Sequence, residues 1–121
     1  MLRRADGHYD ICDLKTAALD RPRLTKGKHR RRRFIDYVYE GVAQLANYED
    51  YFSYEMNRQF ARSLYCVEVE NPALILIVGT FDNASVDEIQ EASRQLRPNY
   101  RIIDYDTVNA LFVKPTRDGS I

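Results

Sequence analysis

The sequence predicts an α/β layer structure with a small mixed sheet, and three observations carry that expectation. Residues 73–78 are an unbroken run of apolar, largely branched side chains closed by Gly79, the pattern of a strand buried on both faces. Residues 34–52 repeat apolar side chains at spacings of three and four, the pattern of a long amphipathic helix. Strand-like and helix-like segments then alternate to residue 112, which favours an α/β layering over a segregated one.

The elements follow in order. Leu2 to Arg4 end a first strand, and Asp6-Gly7 is a two-residue hairpin turn. Residues 9–15 form the return strand, with Ile11, Asp13 and Lys15 on one face and Asp10, Cys12 and Leu14 on the other. Residues 16–33 read as a loop interrupted by Pro22 and Gly27. The long helix then uses Phe34, Val38, Val42, Leu45, Tyr48 and Phe52 as its apolar stripe. Gly41 within it costs up to ~1 kcal/mol of helix propensity, which close packing against a neighbour would offset. A second helical stretch spans 54–65, and a bend near Ser53 and a continuous helix are both open. Asn71-Pro72 stops it. After the buried strand, Ser85 with Glu88 three residues on is a capping box for a helix over 85–96. A strand over 100–105, a short helix capped by Asp106 and a frayed tail at 114–121 complete the chain.

The 121 residues are 45% hydrophobic and 30% charged, enough for one domain over 1–121 and too few for two. That apolar content excludes wholesale disorder. No window is apolar for long enough to cross a bilayer, and the charged first twenty residues do not form a secretory signal, so no membrane association and a cytoplasmic location are expected. Two cysteines do not build a disulfide framework, and His8, Cys12, His29 and Cys66 lack zinc-finger spacing.

The net charge of zero hides an asymmetry. Residues 1–33 hold eleven basic and four acidic side chains, and the remainder hold seven and fourteen. The densest stretch is Arg21, Arg23, Lys26, Lys28, Arg30, Arg31, Arg32 and Arg33. Such density requires solvent or a polyanion, and a phosphate backbone is the expected polyanion. These side chains would supply affinity and salt dependence rather than base choice.

Three features then converge. The carboxylate of Asp13, with the backbone carbonyl of Leu14, offers oxygen ligands to a hard divalent cation such as Mg²⁺ or Mn²⁺. Lys15 shares the Asp13 face, where its ammonium can orient an attacking water or stabilise charge developing on a phosphate. Gln44 and Tyr48 lie four apart on the long helix, so they share a face and can donate hydrogen bonds into the same cleft. Glu40, one turn before Gln44, is a further candidate for that cleft. His8 and His29 read as surface residues, as alternatives to phosphate or metal contacts.

Gln44-Leu45-Ala46-Asn47-Tyr48 resembles the Q-x-x-x-Y helix motif of the RecB-like nucleases in the PD-(D/E)XK superfamily, and Asp13-Leu14-Lys15 resembles its (D/E)-x-K element. The wider stretches 9–16 and 73–79, with Tyr105-Asp106 opening the last helix, resemble the nuclease domain of the Shedu anti-phage defence proteins. The resemblance covers nearly the whole chain. It implies a restriction-endonuclease-like core and a Mg²⁺-dependent phosphodiesterase acting on DNA. It assigns Asp13, Lys15, Gln44 and Tyr48 to catalysis and Asp13 with Leu14 to the metal. Two departures stand out. This branch of the superfamily usually carries Glu where Asp13 stands, and the family's further Asp on the preceding strand is absent from Met1-Leu2-Arg3-Arg4. The expectation is a partial domain that begins just after that Asp. The alternative is a catalytically incomplete DNA-binding or assembly module on the same fold. A homo-oligomer is expected from the exposed edge of the first hairpin. The nuclease reading requires the Asp13 carboxylate and the Gln44 amide to look into a common cleft, on the same side of the sheet and with no protein packed between them.

Overall fold

A computed structural model describes residues 1–16 and 22–112. Their elements run β1 (Leu2–Arg3), β2 (Tyr9–Leu14), β3 (Thr25–Lys26), a 3₁₀ turn (His29–Arg31), β4 (Arg33–Phe34), α1 (Asp36–Ser53), α2 (Glu55–Tyr65), β5 (Leu74–Ile77), α3 (Val86–Ser93), β6 (Tyr100–Ile103) and α4 (Tyr105–Phe112). Four strands form a mixed sheet in the order β1-β2-β5-β6, and β3 pairs with β4 as a separate two-stranded ribbon. The α/β class with a small mixed sheet flanked by helices is therefore present. The frayed tail expected at 114–121 lies outside the described residues, as does Arg21.

The first hairpin is antiparallel, with Leu2 opposite Asp10 and Arg3 opposite Tyr9. Its loop is wider than the two residues expected. The Arg4 N–H donates to the His8 carbonyl at 2.7 Å and the Gly7 N–H to the Arg4 carbonyl at 3.1 Å, leaving three residues between the closing pair. Strand β2 then pairs in parallel with β5, placing Ile11 opposite Leu74 and Asp13 opposite Leu76. Strand β5 pairs in parallel with β6, so Leu76 faces Ile102. Both parallel connections pass through helices, as parallel pairing demands.

The apolar run of β5 forms the centre of the core. Leu74, Leu76 and Val78 are fully buried, in one cluster with Ile11, Val38, Leu45, Ile89, Ala92 and Ile102. Gly41 sits where α1 crosses β5. A Cβ there would lie 2.7 and 2.8 Å from the two Leu76 methyl carbons and 2.8 Å from Lys15 Cδ. The closest crossing of helix and sheet thus falls beside Lys15, and it compensates for glycine in mid-helix.

The chain leaves helical geometry at Tyr54 (φ −90°, ψ 128°), which settles the open question at Ser53 in favour of two helices. The freed carbonyls of α1 are capped by side chains of α2. Arg58 Nη1 donates to the carbonyls of Phe52 at 2.8 Å and Ser53 at 2.9 Å, and Asn57 Nδ2 donates to that of Tyr51 at 2.8 Å.

Four sequence expectations need correction. The segment expected as loop to residue 33 is part of the core from Leu24 onward: Leu24 and Phe34 are fully buried, and Thr25 is buried between them in the ribbon. Phe34 therefore ends strand β4 rather than opening the helix, which starts at Asp36. Gly79 makes this possible, because a Cβ at its φ of +81° would meet Leu24 Cδ1 at 2.3 Å. Helix α4 is capped by Asp104, not Asp106. Asp104 Oδ1 accepts the Thr107 N–H and Oδ2 the Thr107 hydroxyl, each at 2.7 Å. Asp106 instead accepts the Phe81 N–H at 2.7 Å. Helix α3 is shorter than expected. Ser85 Oγ accepts the Glu88 N–H at 3.2 Å, but the Glu88 carboxylate that should complete the capping box is held by arginines.

Candidate functional site

Alternation along β2 places Ile11, Asp13 and Lys15 on one face of the sheet, and α1 packs across that face. Helical spacing aligns Tyr37, Gly41, Gln44 and Tyr48 on one side of α1. Each end of that stripe meets β2. At the upper end, Lys15 Nζ lies 4.4 Å from the centroid of the Tyr37 ring and 4.0 Å from Glu40 Oε1. At the lower end, Tyr48 and Asp13 line the same cavity. Asp13 and the Gln44 face of the helix thus lie on the same side of the sheet. Gln44 itself is exposed, one turn from Tyr48.

Lys15 is the most constrained member. Its side chain is only 16% exposed although it ends in an ammonium. The stem packs against Gly41, and the head rests on the Tyr37 π-face, an arrangement that holds a cation without neutralising it. The backbone is fixed from both sides. The Lys15 N–H donates to the Ile77 carbonyl at 3.0 Å, and the Tyr105 hydroxyl donates to the Lys15 carbonyl at 2.5 Å. Tyr37 is held in turn by Thr16, whose carbonyl accepts from its hydroxyl at 3.2 Å. The ammonium turns toward Glu40 rather than Asp13. Among the described residues, Asp13 has no hydrogen-bond or ion-pair partner, so its oxygens remain available.

Burial pushes the Tyr105 hydroxyl above its ordinary pKa, with the charges of Tyr37, Cys12 and Asp13 adding to the effect, so it stays a donor at neutral pH. Burial likewise raises the Cys12 thiol, which the nearby N-terminal ammonium partly offsets and Asp13 reinforces. A raised pKa means less thiolate. Iodoacetamide at pH 8 is expected to alkylate exposed Cys66 at least about tenfold faster than Cys12. Equal rates, resolved by peptide mass spectrometry, would contradict the partial burial of Cys12.

Among the described residues, no group of three or more His, Cys, Asp or Glu side chains is arranged to hold a metal. The expected donor set is smaller than that: the Asp13 carboxylate and the Leu14 carbonyl. Leu14 is 64% exposed, and among the described residues no strand pairs with Cys12 to Leu14 on the β1 side. One carboxylate plus one carbonyl suits a Mg²⁺ ion that keeps several waters and takes further oxygens from a phosphate. It does not suit a tight all-protein cage.

The basic segment divides into two parts. Arg32 is 15% exposed and clamps α3, with Nε 2.5 Å from Glu91 Oε1 and Nη1 3.1 Å from Glu88 Oε2. Arg23 reaches the same Glu88 oxygen at 2.9 Å. Lys26, Lys28, Arg30, Arg31 and Arg33 remain exposed on the ribbon and the 3₁₀ turn, Arg33 beside the Tyr39 ring at 5.7 Å. Among the described residues of the segment, these five make no ion pair with a carboxylate. His8 is surrounded by acid, with Asp6 at 3.5 Å, Glu70 at 3.4 Å and Glu68 at 3.9 Å, an environment that repels phosphate.

Sequence reasoning did not assign roles to Tyr37 and Tyr105, the two side chains that hold Lys15. Tyr37 was accessible by extending the Gln44–Tyr48 stripe one turn past Gly41. Tyr105 is ninety residues from Lys15, and no local pattern links them. No family model, curated protein or solved structure matches this chain.

Proposed function

We propose that this chain is a nuclease-like domain that binds DNA and hydrolyses its phosphodiester bonds with Mg²⁺ or Mn²⁺, in the manner of anti-phage defence nucleases, as a cytoplasmic homo-oligomer with a restriction-endonuclease-like core. The observation that carries this reading is the placement of Lys15. Its ammonium is held over Tyr37 on the β2 face that also presents Asp13, which has no polar partner among the described residues, under the helix that carries Gln44 and Tyr48.

Asp13 and the Leu14 carbonyl would hold the cation. When bound, it supplies a water of lowered pKa and polarises the scissile phosphate. Lys15 supplies a fixed positive charge beside the phosphate oxygen on which negative charge builds. The Gln44 amide, free of other partners among the described residues, donates a hydrogen bond to a water or phosphate oxygen. The Tyr48 hydroxyl can do the same from the next turn. The exposed cations of the ribbon supply sequence-independent affinity.

The test is cleavage of plasmid and linear DNA with Mg²⁺, Mn²⁺ or EDTA. Lys15→Met keeps the packed stem and removes the ammonium. It is expected to slow metal-dependent cleavage at least about 100-fold. Cleavage that persists in EDTA, or is unchanged by Lys15→Met, would overturn the proposal. A second reading, a DNA-binding module that keeps the fold without the chemistry, is favoured by one feature: residues 1–4 carry no acidic side chain to join Asp13. It predicts salt-sensitive DNA binding that survives Lys15→Met and Asp13→Ala and is lost when Arg30, Arg31 and Arg33 are neutralised.

A further inference from the structure

The cavity beside Asp13 is the wrong place for a phosphate. It measures about 400 Å³, and Ile11, Tyr48, Tyr51 and Phe52 form most of its wall. Among the described residues no lysine or arginine side chain lines it; Met1, which carries the terminal ammonium, is a lining residue, as is Asp13, whose carboxylate repels anions. It is also the wrong place for an alkyl chain, which would strip water from a carboxylate and return no hydrogen bond. Its aromatic wall is open to a ligand: Tyr48 is 50% and Tyr51 43% exposed, and the Tyr51 and Phe52 rings stand at 85° with centroids 5.0 Å apart. The edge-to-face contact with Phe52 props the Tyr51 ring, whose exposed face can accept a stacked planar group.

From this geometry we infer that the cavity seats one unstacked nucleobase of a single-stranded or frayed nucleic acid. A base has two π-faces for the tyrosines and N–H groups at its edge for the carboxylate. Asp13 can accept such an N–H and still offer oxygens to a cation, because an ionised carboxylate has about four acceptor sites. Lys15 stands two residues along the same strand face, about 6.6 Å away at the Cα positions, a spacing comparable to that between a base and its own phosphate. The inference deepens the nuclease-like reading and rests on it for the position of that phosphate. It assigns the site a preference for flaps, overhangs and unpaired strands over intact duplex.

The test measures binding without cleavage. Fluorescence anisotropy in EDTA at low salt uses a labelled single strand of about twelve nucleotides, the same strand in a blunt duplex, and an abasic strand of equal length. The wild type is expected to bind the single strand several-fold more tightly than the duplex or the abasic strand. Tyr51→Ala is expected to weaken single-strand binding about tenfold and leave abasic binding unchanged. Tyr51→Phe retains the ring and is expected to retain affinity, which separates stacking from a structural role for the side chain. Circular dichroism confirms that each variant is folded. No binding, equal binding of the three probes, or a Tyr51→Ala variant that binds the single strand like the wild type would overturn the inference. These outcomes are distinct from failure of the nuclease reading. A single-strand preference without metal-dependent cleavage sinks the chemistry and leaves the seat, whereas Lys15-dependent cleavage without that preference does the reverse.

Discussion

Phe34→Ala is expected to lower unfolding free energy by about 3–5 kcal/mol, a large part of the roughly 5–15 kcal/mol available to a domain of this size. Phe34 is fully buried, packs edge-on against Tyr39 with centroids 6.0 Å apart, and donates its N–H to the Tyr39 hydroxyl at 3.3 Å. It belongs to the same apolar cluster as Leu24, Val38 and Ile89, so truncation leaves a cavity that three elements would have to close together. Urea unfolding followed by circular dichroism should show a lower midpoint with an unchanged slope. A loss below about 1 kcal/mol would mean that the basic segment detaches without disturbing the core. The exposed cations would then be carried on a tether instead of being held at a fixed position relative to β2.

Arg32→Ala is expected to cost about 2–4 kcal/mol, near the lower end for breaking a buried charge pair because its partners are partly solvated. Among the described residues it leaves Glu88 with Arg23 alone and leaves Glu91 without the guanidinium that it meets at 2.5 Å. Lysine cannot reproduce the two-carboxylate fork, so Arg32→Lys should recover only part of the loss. Arg30→Ala and Arg31→Ala should fall within about 0.5 kcal/mol of the wild type in stability. Each should instead reduce the salt dependence of DNA binding by roughly one phosphate contact. The contrast separates arginines that hold the protein together from those free to hold a ligand. A neutral Arg32→Ala would show that the clamp is dispensable, and an unchanged salt slope in the Arg30 and Arg31 variants would remove the ribbon from the proposed DNA interface.

Local pattern alone located most of the scaffold. The branched run of β5, the period of α1, the Ser85 cap and the extended stretch beginning at Tyr9 are written in spacings of two, three and four residues, and the fold contains each of them. The shared face of Asp13 and Lys15 followed from strand alternation, and that of Gln44 and Tyr48 from helical repeat. The ribbon at 25–34 was not legible. Its strands are two residues long, and Leu24 packs against Gly79, 55 residues away in the chain, while the ribbon meets α3.

Sequence by itself therefore determined which side chains share a strand face or a helix face, because those relations depend only on backbone geometry between near neighbours. Only the tertiary structure decided what each face meets: that Lys15 rests on Tyr37 and turns to Glu40, that Tyr105 holds its carbonyl, and that Arg32 is engaged by two carboxylates while Arg30 has no ion pair among the described residues. These contacts join residues from 22 to 90 positions apart, and they depend on burial and pairing across the core that no local periodicity encodes.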